Sequence, residues 1–334
     1  MAKFLYVFIV LTLWGCRHNS ETEKYQDARN NVVDVHDKVK EIVIDDVLIS
    51  IYSDLNLVDN YLVITDWKGG DKLIHLFDKN TFYHVVSSTS MGQGPGEIAN
   101  LGKLFVNEKL REFYVFDLGK LNVLSYQLDS LIADSLYQPK VELQIDKKRF
   151  PFECVYINDT LCIVRIMDIL NDDEAHNELS GQWNMKTGEI KSIGYENPDV
   201  KKKRFRLAAS SEYNIYVKCY SRYDLMTICS FDGKLKYNIY GPNWSDEITD
   251  LCHYNMGVIF CNDKIFALYS GNDHRTDGYY PSKIHIFNLE GEYLKTLNVG
   301  YYILGFRYDK DNNRLIMFFQ DEMQFGYLDL DGLI

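Results

Sequence analysis

The chain has 334 residues, 46% of them apolar, with 25 Tyr and 18 Phe, and 48 acidic against 36 basic residues give a net charge of −12. That is enough chain for one large core, and so acidic a balance argues against nucleic acid as a partner, because phosphates demand a basic face. The one basic run, Lys201, Lys202, Lys203 and Arg204, has no interleaved aromatic platform and is expected to be a solvated loop.

At the N-terminus Lys3 precedes an apolar run, and Gly15 and Cys16 follow it before a polar stretch. The run over residues 4–14 is too short for a membrane core that needs ~20 residues. Residues 1–15 are therefore expected to be a signal peptide. The small residue before Cys16 resembles a bacterial lipobox, which implies cleavage after Gly15 and lipid on Cys16; a plain signal peptide is the alternative. Residues 16–34 then read as a lipidated N-terminus and linker, dispensable for stability as far as Arg29, and 35–334 as the folded domain.

That domain is repetitive. Apolar strands begin at Leu62, Phe113, Leu161, Ile215, Ile265 and Leu315, with intervals of 51, 48, 54, 50 and 50 residues. In each copy a second strand closes in a turn such as Asp78, Lys79 and Asn80 in the first copy or Asp232 and Gly233 in the fourth. Repeats of this length, made of short strands and Gly/Asn/Asp turns, predict propeller blades. The fold expected is all-β: a six-bladed β-propeller with four antiparallel strands per blade, A innermost to D outermost. The last copy has too few residues after Asp331 and Gly332 for a fourth strand, which leaves an open edge. Residues 41–45 are predicted to supply that strand and close the ring.

In this topology A–B and C–D turns share one rim, and B–C and D–A loops share the other. Turns at Asn158 and Asp159, at Asn262 and Asp263, and over 309–313 are short, whereas segments 90–100, 168–182, 194–204, 241–255 and 270–282 are longer. Long loops gathered on one rim predict a recognition face, drift of unselected loops being the alternative. Trp67, Trp244, Tyr279 and Tyr280 fall on that rim beside Arg222, Asp273 and Arg275. Rings that stack and charges that orient suit a sugar or peptide; simple packing is the competing reading for each ring, Trp244 in particular.

Six cysteines follow Cys16, and an even count in an exported chain invites disulfides. The expected register opposes them. With Asn158 and Asp159 in the turn, Val155 faces Cys162 and Cys154 lies on the other side of the sheet. With Arg222 and Tyr223 in the next turn, Cys219 faces Met226. Buried free thiols are expected. Residues 309–313 are superficially calcium-like, but Arg314 occupies the glycine position and Gln320 that of the bidentate Glu, so a hairpin turn is predicted. His253 and His274 lack the spacing of paired metal ligands, and no C-x-x-C or G-x-S-x-G occurs. No metal and no cofactor is expected.

The string Met91, Gly92, Gln93, Gly94, Pro95, Gly96 and Glu97 is not a phosphate cradle, since Pro95 removes a donor and a strand follows; it is expected to make a tight crossing between blades 1 and 2. Followed by Phe113, Tyr114, Val115, Phe116 and Asp117, it resembles the NHL type of propeller repeat. With the lipobox-like residues and Tyr240, Gly241, Pro242, Asn243 and Trp244, the chain resembles the TolB-like six-bladed propeller lipoproteins of Bacteroidetes. That resemblance implies the fold and an outer-membrane, cell-envelope address, but no shared activity. Surface export in that group goes with acidic residues just after the lipidated Cys, matched here only by Glu21 and Glu23, so the membrane face stays open. The function expected is an envelope-tethered binding or scaffolding module for a glycan, peptide or protein partner. The alternative is a lactonase- or lyase-like propeller enzyme with a metal or carboxylates converging on the axis.

Overall fold

Each of the six apolar repeat strands becomes strand B of a four-stranded antiparallel blade. The structure, a computed structural model, describes residues 20–134, 136–169 and 176–334; the signal peptide and Cys16 lie outside the described residues. Blade 1 comprises Ser53–Val58, Tyr61–Asp66, Lys72–Asp78 and His84–Ser90. Blade 2 comprises Leu101–Asn107, Glu112–Asp117, Asn122–Gln127 and Lys140–Gln144, and blade 3 Arg149–Asn158, Leu161–Ile169, His176–Trp183 and Ile190–Ser192. Blade 4 comprises Phe205–Ser210, Ile215–Tyr220, Leu225–Ser230 and Leu235–Tyr240, and blade 5 Leu251–Cys261, Lys264–Asp273, Lys283–Asn288 and Tyr293–Asn298. Blade 6 takes Ile303–Asp309, Arg314–Phe319 and Phe325–Asp329 as strands A to C.

The B strands are apolar without alternation because both faces of every blade are covered by neighbours. In blade 1, Leu62 and Ile64 pack against Ile316 and Phe318 of blade 6, while Val63 packs with Phe113 and Val115 of blade 2. One such hydrophobic layer fills each of the six joints.

The fourth strand of blade 6 is Lys40–Glu41, antiparallel to Phe325–Asp329, with Lys40 opposite Tyr327 and Glu41 opposite Gly326. It is shorter than the segment 41–45 expected from sequence and starts one residue earlier; Ile42 makes the last bond, its N–H donating to the Phe325 carbonyl at 2.8 Å while its side chain enters the apolar layer between blades 6 and 1. The calcium-like string is a hairpin turn that also latches this joint: buried Asp309 accepts from Arg314 Nε at 2.9 Å and pairs with Lys79 Nζ of blade 1 at 3.3 Å.

Residues 20–34, expected as linker, are instead laid along the propeller's side. Glu23–Tyr25 adds in parallel to Leu235–Tyr240 of blade 4, and Val32–Asp34 adds in parallel to Tyr293–Asn298 of blade 5. The reason is the unpaired edge of a D strand, whose free N–H and C=O groups the strap satisfies. The rims also differ from expectation. Connections 91–100, 193–204, 241–250 and 274–282 do share the B–C and D–A rim, but the other rim carries 128–139, including the short helix Leu128–Ala133. Part of the expected loop at 168–182 and 241–255 is strand, as blades 3 and 5 have long A–B hairpins.

In blade 3 the turn falls at Asp159 and Thr160, one residue later than expected, and a bulge between Tyr156 and Asn158 offsets the pairing by one residue, so Tyr156 faces Cys162 and Cys154 faces Val164. Cys154 and Cys162 therefore share one face of the sheet, contrary to the sequence-based register. Cys219 faces Met226. All six described cysteines are free thiols.

Candidate functional site

On the long-loop rim, fully buried Asp66 ends strand B of blade 1 and ties two loops together. It accepts the backbone N–H of Ser50 at 2.6 Å, the Ser50 hydroxyl at 2.6 Å and the backbone N–H of Lys68 at 2.9 Å. Charge-assisted bonds of this kind fix the connection from blade 6 against the B–C loop. Tyr52 and Trp67 stand on those two loops, each 45% exposed, edge to face with centroids 5.7 Å apart. Lys68 Nζ lies 4.0 Å from the Tyr52 centroid, a cation–π contact. Leu48 and Ile51 of the same connection are exposed as well. The result is an aromatic and cationic platform, held from beneath and open to solvent.

One repeat on, Asp117 does the same work. It accepts backbone N–H groups of Ala99, Asn100, Gly119 and Lys120, and Lys120 Nζ donates to the carbonyls of Gly94 and Glu97. The Gly-rich string is thus folded onto blade 2, with Gly96 at φ +72°, a conformation that favours glycine.

Of the residues singled out from sequence, Arg222, Asp273 and Arg275 gather around connection 241–250. Arg222 Nη2 donates to the carbonyl of Thr249, and Arg275 pairs with Asp273 at 2.6 Å and Asp250 at 3.1 Å. The Arg275 hydrogen bonds pull the Asp273 carboxyl down to about 2. Trp244 turns inward, its ring 4.7 Å from Tyr240 and 5.7 Å from Tyr223, and packs with the layer between blades 3 and 4. The Tyr279 and Tyr280 rings lie 4.1 Å apart, tilted by 33°, and Tyr280 lies 6.2 Å from Tyr302 of the next connection. Trp67 stands apart from these six, on blade 1.

The A strands surround an axial channel, and a cavity of about 460 Å³ occupies the half nearer the short-turn rim. Its wall carries a belt of charge: Asp54, Lys103, Glu153 and Arg206 come from blades 1 to 4, and Arg307 from blade 6. Lys103 pairs with Asp54 at 2.8 Å, and Arg307 approaches Asp54 at 3.6 Å and donates to Asn56 Oδ1 at 3.1 Å. Burial works to raise the Asp54 pKa, but Lys103 and Arg307 outweigh it and hold the carboxyl below its usual value. Glu153 pairs at 3.2 Å with Arg165, a buried cation that also meets Glu178 at 3.1 Å. Arg206 Nη2 donates to Asn255 Oδ1 at 3.2 Å.

Sequence reasoning missed this belt and Tyr52. A signal for the belt was present, because Asp54, Lys103, Glu153 and Arg206 recur at intervals of 49, 50 and 53 residues, in phase with the blades. The two carboxylates of the belt, Asp54 and Glu153, are held by cations. Among the described residues no group of three or more His, Cys, Asp or Glu side chains is placed to hold a metal ion.

Comparison with known proteins gives the fold the same reading. The chain is similar over 89% of its length, and 87% of the other's, to a protein described as exported from Bacteroides fragilis, with TM-score 0.54 and 10% identity. It is similar over 88% of its length, and 98% of the other's, to a duf4221 family member from Bacteroides vulgatus, with TM-score 0.57 and 11% identity. Regucalcin of Agrobacterium tumefaciens, a calcium-binding protein, aligns over 89% of this chain and 95% of its own at TM-score 0.54 and 8% identity. At these identities the likeness is one of fold. No curated protein matches the chain in sequence. A family model does match, over residues 43–217, just over half of the chain, and with six blades counted in the structure the protein belongs to that 6-bladed beta-propeller family (DUF5128).

Proposed function

We propose that the protein is an exported module of the bacterial cell envelope that binds a glycan, peptide or protein partner through its long-loop rim, without catalysing a reaction on it. The observation that carries this reading is the platform of Tyr52, Trp67 and Lys68. Two half-exposed rings on loops that Asp66 has already fixed can bury apolar surface on docking with little further ordering cost. The paired state of Asp54 and Glu153 in the channel favours binding over acid–base chemistry, which needs a free acid or base beside the substrate. The envelope address rests on the lipobox-like Gly15 and Cys16 and on the NHL-like and TolB-like strings, and it agrees with one fold relative described as exported. In this reading the chain is a lipoprotein of the outer membrane, held by lipid on Cys16.

The test is a binding assay against isolated envelope glycans and envelope proteins, with Tyr52→Ala/Trp67→Ala set against the parent. Loss of two anchoring rings is expected to weaken binding by about tenfold or more, with the unfolding midpoint unchanged because both rings lie outside the core. Equal binding by parent and variant would refute the rim as the docking face.

A further inference from the structure

We propose that the axial cavity binds the oxyanion group, carboxylate or phosphate, of a small polar ligand, and that Arg206 is the residue that receives the charge. This stands independently of the rim. The cavity wall holds four cations, Lys103, Lys109, Arg206 and Arg307, against three carboxylates, Asp54, Glu108 and Glu153, so it carries a net charge of +1 within a chain of net −12. Within the belt of strand-A charges, the cation without a carboxylate is Arg206. Lys103 and Arg307 are satisfied by Asp54, and Glu153 is engaged by Arg165. Among the described residues no carboxylate forms an ion pair with Arg206, whose side-chain partner is the neutral amide oxygen of Asn255.

A guanidinium left without an anion in a partly desolvated wall is costly unless something supplies one. Burial first, then the nearby Arg165 and Arg204, push the Arg206 pKa below its usual value, against the opposing pull of Glu153 and Glu178. The planar fork of Arg matches carboxylate and phosphate in two parallel bonds. A second donor faces the same need: the amide Nδ2 of Asn56, also in the wall, is buried without a partner. At about 460 Å³ the space suits a ligand of sugar size, with the oxyanion at the charged belt and the remainder toward the short-turn mouth at Lys109 and Ser211.

The experiment titrates the full chain with D-glucuronate, inorganic phosphate and neutral D-glucose at constant ionic strength, by calorimetry and by thermal shift. Glucuronate, phosphate or both should bind and raise the unfolding midpoint, with glucose inert; preference for one assigns an acidic sugar or a phosphorylated ligand. Arg206→Gln should weaken the anion by about 10- to 100-fold while the ligand-free midpoint stays or rises. Where Arg206→Gln does not fold, Arg206→Lys keeps the charge but loses the fork, and its affinity should fall as well. Failure of both anions to bind, binding by glucose alike, or undiminished affinity in the Arg206 variant would overturn the site.

Discussion

Arg29 and Asp224 are 195 positions apart in sequence, yet they form a 2.8 Å ion pair with side chains only 6% and 0% exposed. The guanidinium also lies 5.4 Å from the Phe287 ring, 5.7 Å from Tyr269 and 5.9 Å from Tyr254, so the N-terminal strap is pinned at the joint of blades 4 and 5. Burial alone would lower its pKa, but Tyr254 and Asp224 outweigh that and raise it above the usual Arg value.

Replacing Arg29 by Met should therefore destabilise the ring by roughly 3–5 kcal/mol, since Asp224 would remain as a buried carboxylate without its cation. Urea unfolding measures this, and deletion of residues 20–34 should lower the midpoint at least as far. A midpoint unmoved by either change would restore the linker reading that the sequence invited.

His285 sets an acid limit to stability. Its ring is buried 4.2 Å from Tyr269 with Nδ1 2.9 Å from the Thr296 hydroxyl, and burial, helped by Arg29 and Lys283, holds its pKa well below 6.5. The folded protein keeps the ring neutral, whereas the unfolded chain takes up a proton below about pH 6.5. Stability from this residue is thus full above that pH and is lost as pH falls through it, by up to about 1.4 kcal/mol per pH unit. The unfolding midpoint of the parent should drop between pH 7.5 and 5.5, and His285→Gln should flatten that slope. An identical slope in the variant would remove His285 from the explanation.

The lipobox-like residues lead to a cell experiment. Cys16→Ser should move the protein from the membrane fraction to the soluble fraction after export. If the variant sediments with membranes as the parent does, the lipid anchor is wrong.

The blade count was legible because a B strand buried on both faces carries a run of apolar residues without alternation, and such runs recur near every fiftieth residue from Leu62 to Leu315. The strap was not legible: Glu23–Tyr25 and Val32–Asp34 are three residues each and owe their form to the edges they meet rather than to their own pattern. Register in blade 3 failed for a local reason: the turn sits one residue later, which alone would keep the faces, but the bulge between Tyr156 and Asn158 adds one unpaired residue and so exchanges them. At the rim, Trp67 was visible as a loop aromatic, but its partner Tyr52 sits next to strand A and gains meaning only when Asp66 draws the two loops together. Trp244 shows the converse, a loop aromatic that the neighbouring Tyr240 and Tyr223 turn inward.

The most direct test of the account places a photo-crosslinking residue at Lys68 on the long-loop rim or at Leu110 on the short-turn rim, and irradiates cells that export the protein. Lys68 and Leu110 both lie on turns at the propeller's ends, so either replacement should leave the ring folded. Adducts to an envelope glycan or protein from position 68, with none from position 110, are the predicted result. Adducts from position 110 alone, or equal yields from both, would contradict a recognition face built on Tyr52 and Trp67.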